Sequence, residues 1–245
     1  MLAHLAILIA QTDLPKTFED LVKRMDDAYR QLSSYTDTWL LSDDDHPGYA
    51  TKFLRMIDGK RCSLRVSIVT GNGKTDQPLF YEGANGSEEY MVAFSHKSYY
   101  TGKDTGDWAS TAPLSGAEQG SLVMGVTPNS IGIACNPPLV LKSVESNPSQ
   151  ISRGRVAVAE ADNPETKNRL SIQISFLNRW WLPTDVVATV TFRDGHHFVQ
   201  RLHPTLIGMN ATLPKRAFDL DPSWIKGFTK KTLDDELKDA IGLVG

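Results

Sequence analysis

Cysteine is nearly absent from this 245-residue chain, which holds Cys62 and Cys135 and no others. That scarcity excludes a disulfide-dense scaffold, and the lack of any CxxC or paired-histidine spacing leaves no zinc motif. Two readings of the pair stay open: a long-loop bridge in an oxidising compartment, contributing about 4 kcal/mol on the chain-entropy view, or two separate buried thiols. Basic charge is not in excess either. Lys and Arg number 26 against 29 Asp and Glu, for a net charge of -3, so the chain lacks the positive footprint of a nucleic-acid binder. Long apolar runs are missing too. Gln119 to Leu141 carries no charge, but Pro128, Asn129, Asn136, Pro137 and Pro138 interrupt it, and no segment is expected to span a bilayer. Catalytic signatures are wanting as well: there is no GxSxG, and GNGKT at 71 to 75 has Ile68 where a phosphate loop needs glycine. No enzyme activity, cofactor or metal is implied.

The N-terminus MLAHLAILIA turns polar at Gln11. It suits the apolar part of a signal peptide cleaved near Ala10, without the usual basic start; an ordinary apolar N-terminal segment packed on the domain is the alternative.

What is present is a change of rhythm. In TFEDLVKRMDDAYRQLSSY, Phe18, Leu21, Val22, Met25, Tyr29 and Leu32 fall at helical spacing with charges on the other face. Thr17 and Asp20 form a cap pair at its start, and Ser33 and Ser34 end it. After Tyr35 come short β-prone segments parted by turn signals: DDDHPG, Asp58-Gly59, GNG at 71 to 73 and Asn85-Gly86. KFLRMIDGKRCSLRVSIV predicts a hairpin closed by a two-residue type I′ turn at Asp58-Gly59. Thr101 to Asp107 reads as a loop. Trp108 to Leu141 holds one charged residue, Glu118, and is either core or a mobile apolar rim around a cavity. In LSIQISF, Leu170, Ile172, Ile174 and Phe176 alternate with polar residues, so one sheet face is buried and the other wet. TLDDELKDAIGLV closes the chain as a second helix, with Leu233, Leu237, Ala240, Ile241 and Val244 on one face.

RDGHHF, Arg193 to Phe198, looks at first like a metal or acid/base site. A two-residue turn at Asp194-Gly195 would pair Arg193 with His196 and Phe192 with His197, setting His196 beside Thr191 and His197 beside Val190 and Val199. Successive strand residues point to opposite faces, so the two imidazoles cannot share an ion. DDDHPG clusters three carboxylates and His46, without the spacing of a calcium loop, and reads as a solvated turn.

The order of features resembles the LolA-like lipoprotein carriers. MDDAYRQLSSYTDTW followed by KFLRMIDGKRCSLRV is similar to the start of that superfamily, and RWWLPTDVVATVTFRDGHHFVQRLHPTLIGMNATLPKRAFDL to its late strands. YEGANGSEEYMVAF looks like the strand pair around a central turn, and NPPLVLKSV like a short lid helix. The early strands lack the family's Arg-Pro step.

The resemblance implies an α+β, β-dominated fold: a strongly curved antiparallel sheet, an unclosed half-barrel, with helices covering the concave apolar face. Residues 14 to 221 would form that domain, preceded by the apolar segment 1 to 13 and followed by an extension, 222 to 245, with the amphipathic helix. The implied function is non-enzymatic: a periplasmic or cell-envelope protein binding lipid, or the acyl chains of lipoproteins, in an apolar cup under a helical lid. The alternative is an envelope-stress sensor or interaction module with another envelope protein as partner; a hydrolase has no motif behind it. The expected cup and lid residues are Leu21, Met25, Leu122, Met124, Ile131 and Leu139. The arginine that contacts the lid corresponds to Arg55, Arg61 or Arg65.

Overall fold

A computed structural model describes residues 14–70, 75–105, 139–146, 154–164, 166–177 and 181–235. The first element is the expected helix, α1 (Phe18–Arg30). The Thr17 hydroxyl accepts the Asp20 N–H at 3.1 Å, satisfying one of the donors that a helix start leaves orphaned. Asp20 then holds Arg24 one turn on, through two contacts of 3.1 and 3.0 Å.

Eleven strands follow in the pattern of two meanders. The first runs β1 (Ser34–Asp43), β2 (Tyr49–Asp58), β3 (Arg61–Thr70), β4 (Asp76–Ala84), β5 (Glu88–Ala93) and β6 (Ser98–Lys103). The second runs β7 (Val140–Ser146), β8 (Gly154–Asp162), β9 (Arg169–Leu177), β10 (Leu182–Thr191) and β11 (His197–Met209). A 3-10 helix (Lys215–Phe218) and the two-residue β12 (Thr229–Lys230) complete the described elements. All twelve strands form one sheet in the order β12-β6-β5-β4-β3-β2-β1-β11-β10-β9-β8-β7. β1 pairs antiparallel with β11 and welds the meanders together. The sheet is open, with β12 and β7 at its rims, so the β-dominated unclosed architecture is observed.

Leu21 and Met25, one turn apart, are 0% and 2% exposed and sit in a cluster with Trp39, Ile172, Ile174, Phe176, Val186 and Leu202. We call the face on which α1 packs the inner face. The alternation expected in LSIQISF is observed: Leu170, Ile172, Ile174 and Phe176 are all buried. α1 lies against β10, over the second meander and β1; the 3-10 helix lies against β3, and a helical turn begins at Leu233, which packs beside Phe80 and Met91.

Several local expectations are corrected. The first hairpin turns at Gly59-Lys60, with Asp58 opposite Arg61. Positive φ is confined to Gly59, at +61°, which is the demand of a type II′ turn and not of type I′. The late hairpin has a three-residue loop: Phe192 exchanges hydrogen bonds with His196 and Gly195, and the ladder begins at Thr191↔His197. Asp194 draws this turn wider by accepting the His196 N–H at 3.0 Å, while Gly195 takes φ +86°. Thr101 to Lys103 belongs to β6 instead of a loop. Of the segment read as a lid helix, Val140 to Val144 belong to the rim strand β7, because they find a ladder on β8, and residues 136 to 138 lie outside the described residues.

Candidate functional site

The register of β1 to β6 lines up side chains in rows across the inner face. One row is Tyr35, Ile57, Cys62, Ala84, Glu89 and Gly102; the next is Asp37, Arg55, Leu64, Glu82, Met91 and Tyr100. The third, Trp39, Phe53, Val66, Phe80 and Ala93, has no polar member until Ser98 on β6. At the usual strand spacing it is an apolar stripe roughly 19 Å long. α1 reaches its Trp39 end; at the far end Phe80 and Met91 are packed by Val66, Leu79, Tyr100 and Leu233.

The polar members of the middle row are handled differently. Arg55 and Asp37 face each other and form a buried two-point ion pair, Arg55 Nε donating to Asp37 Oδ1 at 2.7 Å. Glu82 lies between Leu64 and Met91, with no cation paired to it among the described residues, and burial pushes its carboxyl up to about 7. Cys62, diagonal to it, is a free thiol pushed up to about 12, first by burial and then by the Glu82 charge. At that value it is no nucleophile. Glu89 is buried and accepts hydrogen bonds from the Tyr100 hydroxyl at 3.2 Å and the Thr105 N–H at 3.3 Å.

The outer face of the same strands carries a second assembly. Arg61, Ser63 and Arg65 of β3 point there, beside Tyr81 and Tyr90. The chain after β11 crosses this surface. Phe218 is fully buried beneath the Arg61 guanidinium, 4.8 Å from its ring centre. Trp224 meets Tyr81 edge-on at 5.0 Å and lies 6.4 Å from Tyr90. Arg65 covers Trp224 at 4.8 Å and Tyr81 at 5.7 Å, and donates to the Ala217 carbonyl at 3.3 Å. Phe228 packs on Phe94, Asn85 donates to Asp219 at 3.1 Å, and β12 adds itself in parallel to β6.

The expected site residues are therefore scattered. Leu21 and Met25 are core residues under α1, and Leu139 is partly buried beside the same cluster, just ahead of β7. Leu122, Met124 and Ile131 lie outside the described residues, as does Cys135. Of the three arginines, Arg55 is engaged by Asp37 on the inner face, whereas Arg61 and Arg65 grip the C-terminal segment on the outer one. Sequence reasoning passed over Glu82 and Trp224. A glutamate inside an apolar strand is the signal for the first, and the aromatic spacing of Phe218, Trp224 and Phe228 for the second.

Neither histidine-bearing turn assembles a centre. His197 Nδ1 contacts Thr191 Oγ1 at 3.1 Å on the outer face, while the His196 ring rests 5.7 Å from Phe192. This corrects the neighbours expected for each, since His197 stands with Thr189 and Val199 and away from Val190. His46 is exposed in the β1–β2 turn, its N–H donating to Asp43 Oδ1 at 2.8 Å. Among the described residues no group of three His, Cys, Asp or Glu is placed to hold a metal, and no helix is long and apolar enough to cross a membrane.

No known family model matches the chain, and no curated protein matches it. Solved structures do. MucB, in its complex with MucA(peri), is similar at 11% identity and a TM-score of 0.42, over 83% of this chain and 60% of that one. A hypothetical protein from Chlamydia trachomatis matches at 12% identity and a TM-score of 0.33, over 76% of this chain and 92% of its own. A LolA superfamily protein from Nitrosomonas europaea matches at 10% identity and a TM-score of 0.31, over 84% of this chain and 98% of its own. This chain spans 60% of the MucB chain's length. A member of the LolA superfamily, which the sequence resembles, is thus one of the similar structures.

Proposed function

We propose that this chain is a non-enzymatic protein of the cell envelope that binds a lipid, or the acyl chain of a lipoprotein, along the inner face of its sheet. The observation that carries the reading is the apolar stripe from Trp39 through Phe53, Val66 and Phe80 to Ala93, which runs beyond the strands that α1 covers. A hydrocarbon chain laid along such a stripe is held by burial, at about 25 cal/mol per Å², and needs no catalytic group. Glu82, beside the stripe, favours a ligand that tolerates or donates to a neutral carboxyl. Opening and closing of a cover over this face would set loading and release, with Leu122, Met124, Ile131 and Leu139 proposed as part of that cover.

Protein purified from membrane-containing cells and weighed by native mass spectrometry should carry a lipid-sized adduct. It should also take up a fluorescent fatty acid, and Val66→Glu should abolish uptake. An adduct-free mass together with no uptake overturns the reading. A second reading, an envelope-stress sensor or interaction module, is favoured by the aromatic-anchored segment on the outer face, whose exposed side is free for a protein. It predicts a stable envelope-protein partner, and recovery of lipid alone would count against it.

A further inference from the structure

The chain after β11 passes around the sheet and touches both of its faces. From Phe218 to Phe228 it lies on the outer face, and at Thr229–Lys230 it becomes β12, the rim strand beside β6. Three residues further on, Leu233 packs on the inner face against Phe80 and Met91, in the company of Val66, Leu79 and Tyr100. Phe80 and Val66 belong to the apolar stripe, so the strap that starts under Arg61 ends on the stripe.

Its path has little slack. Asp221 Oδ1 accepts the Ser223 N–H at 2.8 Å, the Asp221 carbonyl accepts the Trp224 N–H at 3.0 Å, and the Ile225 carbonyl accepts the Phe228 N–H at 2.9 Å. Two turns therefore shorten the run between the outer anchors. At the rim the Lys97 carbonyl accepts the Thr229 N–H at 2.9 Å and the Tyr99 carbonyl accepts the Lys231 N–H at 2.8 Å. Thr232 alone separates Lys231 from Leu233, and its hydroxyl accepts the Asp235 N–H at 3.3 Å where a helical turn begins. A residue spans at most about 3.6 Å, so the rim bonds fix where Leu233 can reach.

The two ends are unequal. Phe218 is fully buried beneath Arg61, Trp224 packs against Arg65 and Tyr81, and Phe228 lies 5.8 Å from Phe94. Among the described residues the inner end is held by Leu233, which is half-buried. A single apolar contact of that kind is maintained by the effective concentration its tether provides, and a tether freed of its anchors provides less. We propose that the strap couples the two faces: lifting Trp224 and Phe228 off the outer face, as a protein taking their place against Arg65 and Phe94 would, withdraws Leu233 and uncovers the Phe80 end of the stripe. By linkage, a ligand that displaces Leu233 loosens the outer end in turn. The coupling goes beyond lipid binding, and only its effect on uptake rests on that reading.

Nuclear magnetic resonance of the full chain, with methyl-labelled leucine and methionine, reads the contact directly. Cross-relaxation between the Leu233 and Met91 methyls should be present in the unaltered protein and lost in Trp224→Ala; Phe228→Ala takes its place if circular dichroism shows the first variant unfolded. Uptake of a fluorescent fatty acid should then quicken about tenfold. Tyr99→Cys with Lys230→Cys, opposite each other across β6 and β12, supplies a clasp at a spacing a disulfide can bridge. Added to Trp224→Ala, the oxidised clasp should restore the contact and the slow uptake, and the reduced one should restore neither. A Leu233–Met91 contact that survives the loss of Trp224 overturns the proposal, as does an uptake rate that stays the same once the contact is gone. If neither the unaltered protein nor any variant takes up fatty acid, the lipid reading fails, and the methyl contact still decides the coupling.

Discussion

The Arg65 guanidinium lies 4.8 Å from the centre of the Trp224 ring, binding a strand near the start of the chain to a segment near its end. Trp224 is simultaneously edge-on to Tyr81. Cation–π and aromatic contacts of this kind contribute roughly 0.5 to 2 kcal/mol each. Trp224→Ala should therefore cost about 2 to 4 kcal/mol in denaturant unfolding. It should also expose the Lys215-Arg216 and Lys226 peptide bonds to trypsin before the sheet unfolds. Arg65→Lys, which keeps charge but loses the planar stacking surface, should show an intermediate loss.

The Asp37–Arg55 pair is buried, so removing one partner strands a charge in the core. Asp37→Ala is expected to destabilise by about 3 to 5 kcal/mol. Replacing both residues with leucine should cost less than either single change, and a double-mutant cycle by urea titration checks this.

Glu82 gives the fold a pH dependence of defined sign. Its folded carboxyl titrates at about 7, above the ordinary 4.5. Between those values the folded state holds a proton that the unfolded chain has released. This stability is fully present below about 4.5 and is lost as pH rises through about 7. Glu82→Gln should flatten that slope, read as melting temperature against pH for both proteins.

Gly83 leaves room for nothing larger. A Cβ there would stand 2.7 Å from the Tyr90 hydroxyl and 2.9 Å from the Cys62 carbonyl oxygen. Gly83→Ala should destabilise by about 1 to 3 kcal/mol. Adding Tyr90→Ala should relieve only part of the overlap, since the Cys62 carbonyl belongs to the backbone and cannot swing away.

How much of this was legible in the sequence depended on range. The α1 helix could be read because its cap and its stripe, Thr17 to Met25, are local. The hairpins could be located but not registered, because an Asp-Gly pair marks a turn without saying which residues close it: Lys60 joins one loop and Arg193 the other. NPPLVLKSV was misread because a short apolar run suits a helix or a strand until a partner is known, and its partner is β8. The inner-face stripe collects one residue from each of five strands, and no window along the chain contains it.

The seam between β1 and β11 sets the order in which the molecule can be made. Every other antiparallel ladder joins strands consecutive in the chain, so each meander can close soon after it is synthesised, by short loops. The seam must wait for the last residues of β11, where Asn210 Oδ1 accepts from both the N–H and the hydroxyl of Ser33. Until then two half-sheets coexist, each with one raw edge. A chain expressed as two pieces, divided between β6 and β7, should reassemble along that seam, helped by α1 on the second half and by the Phe218 to Lys230 segment on the first.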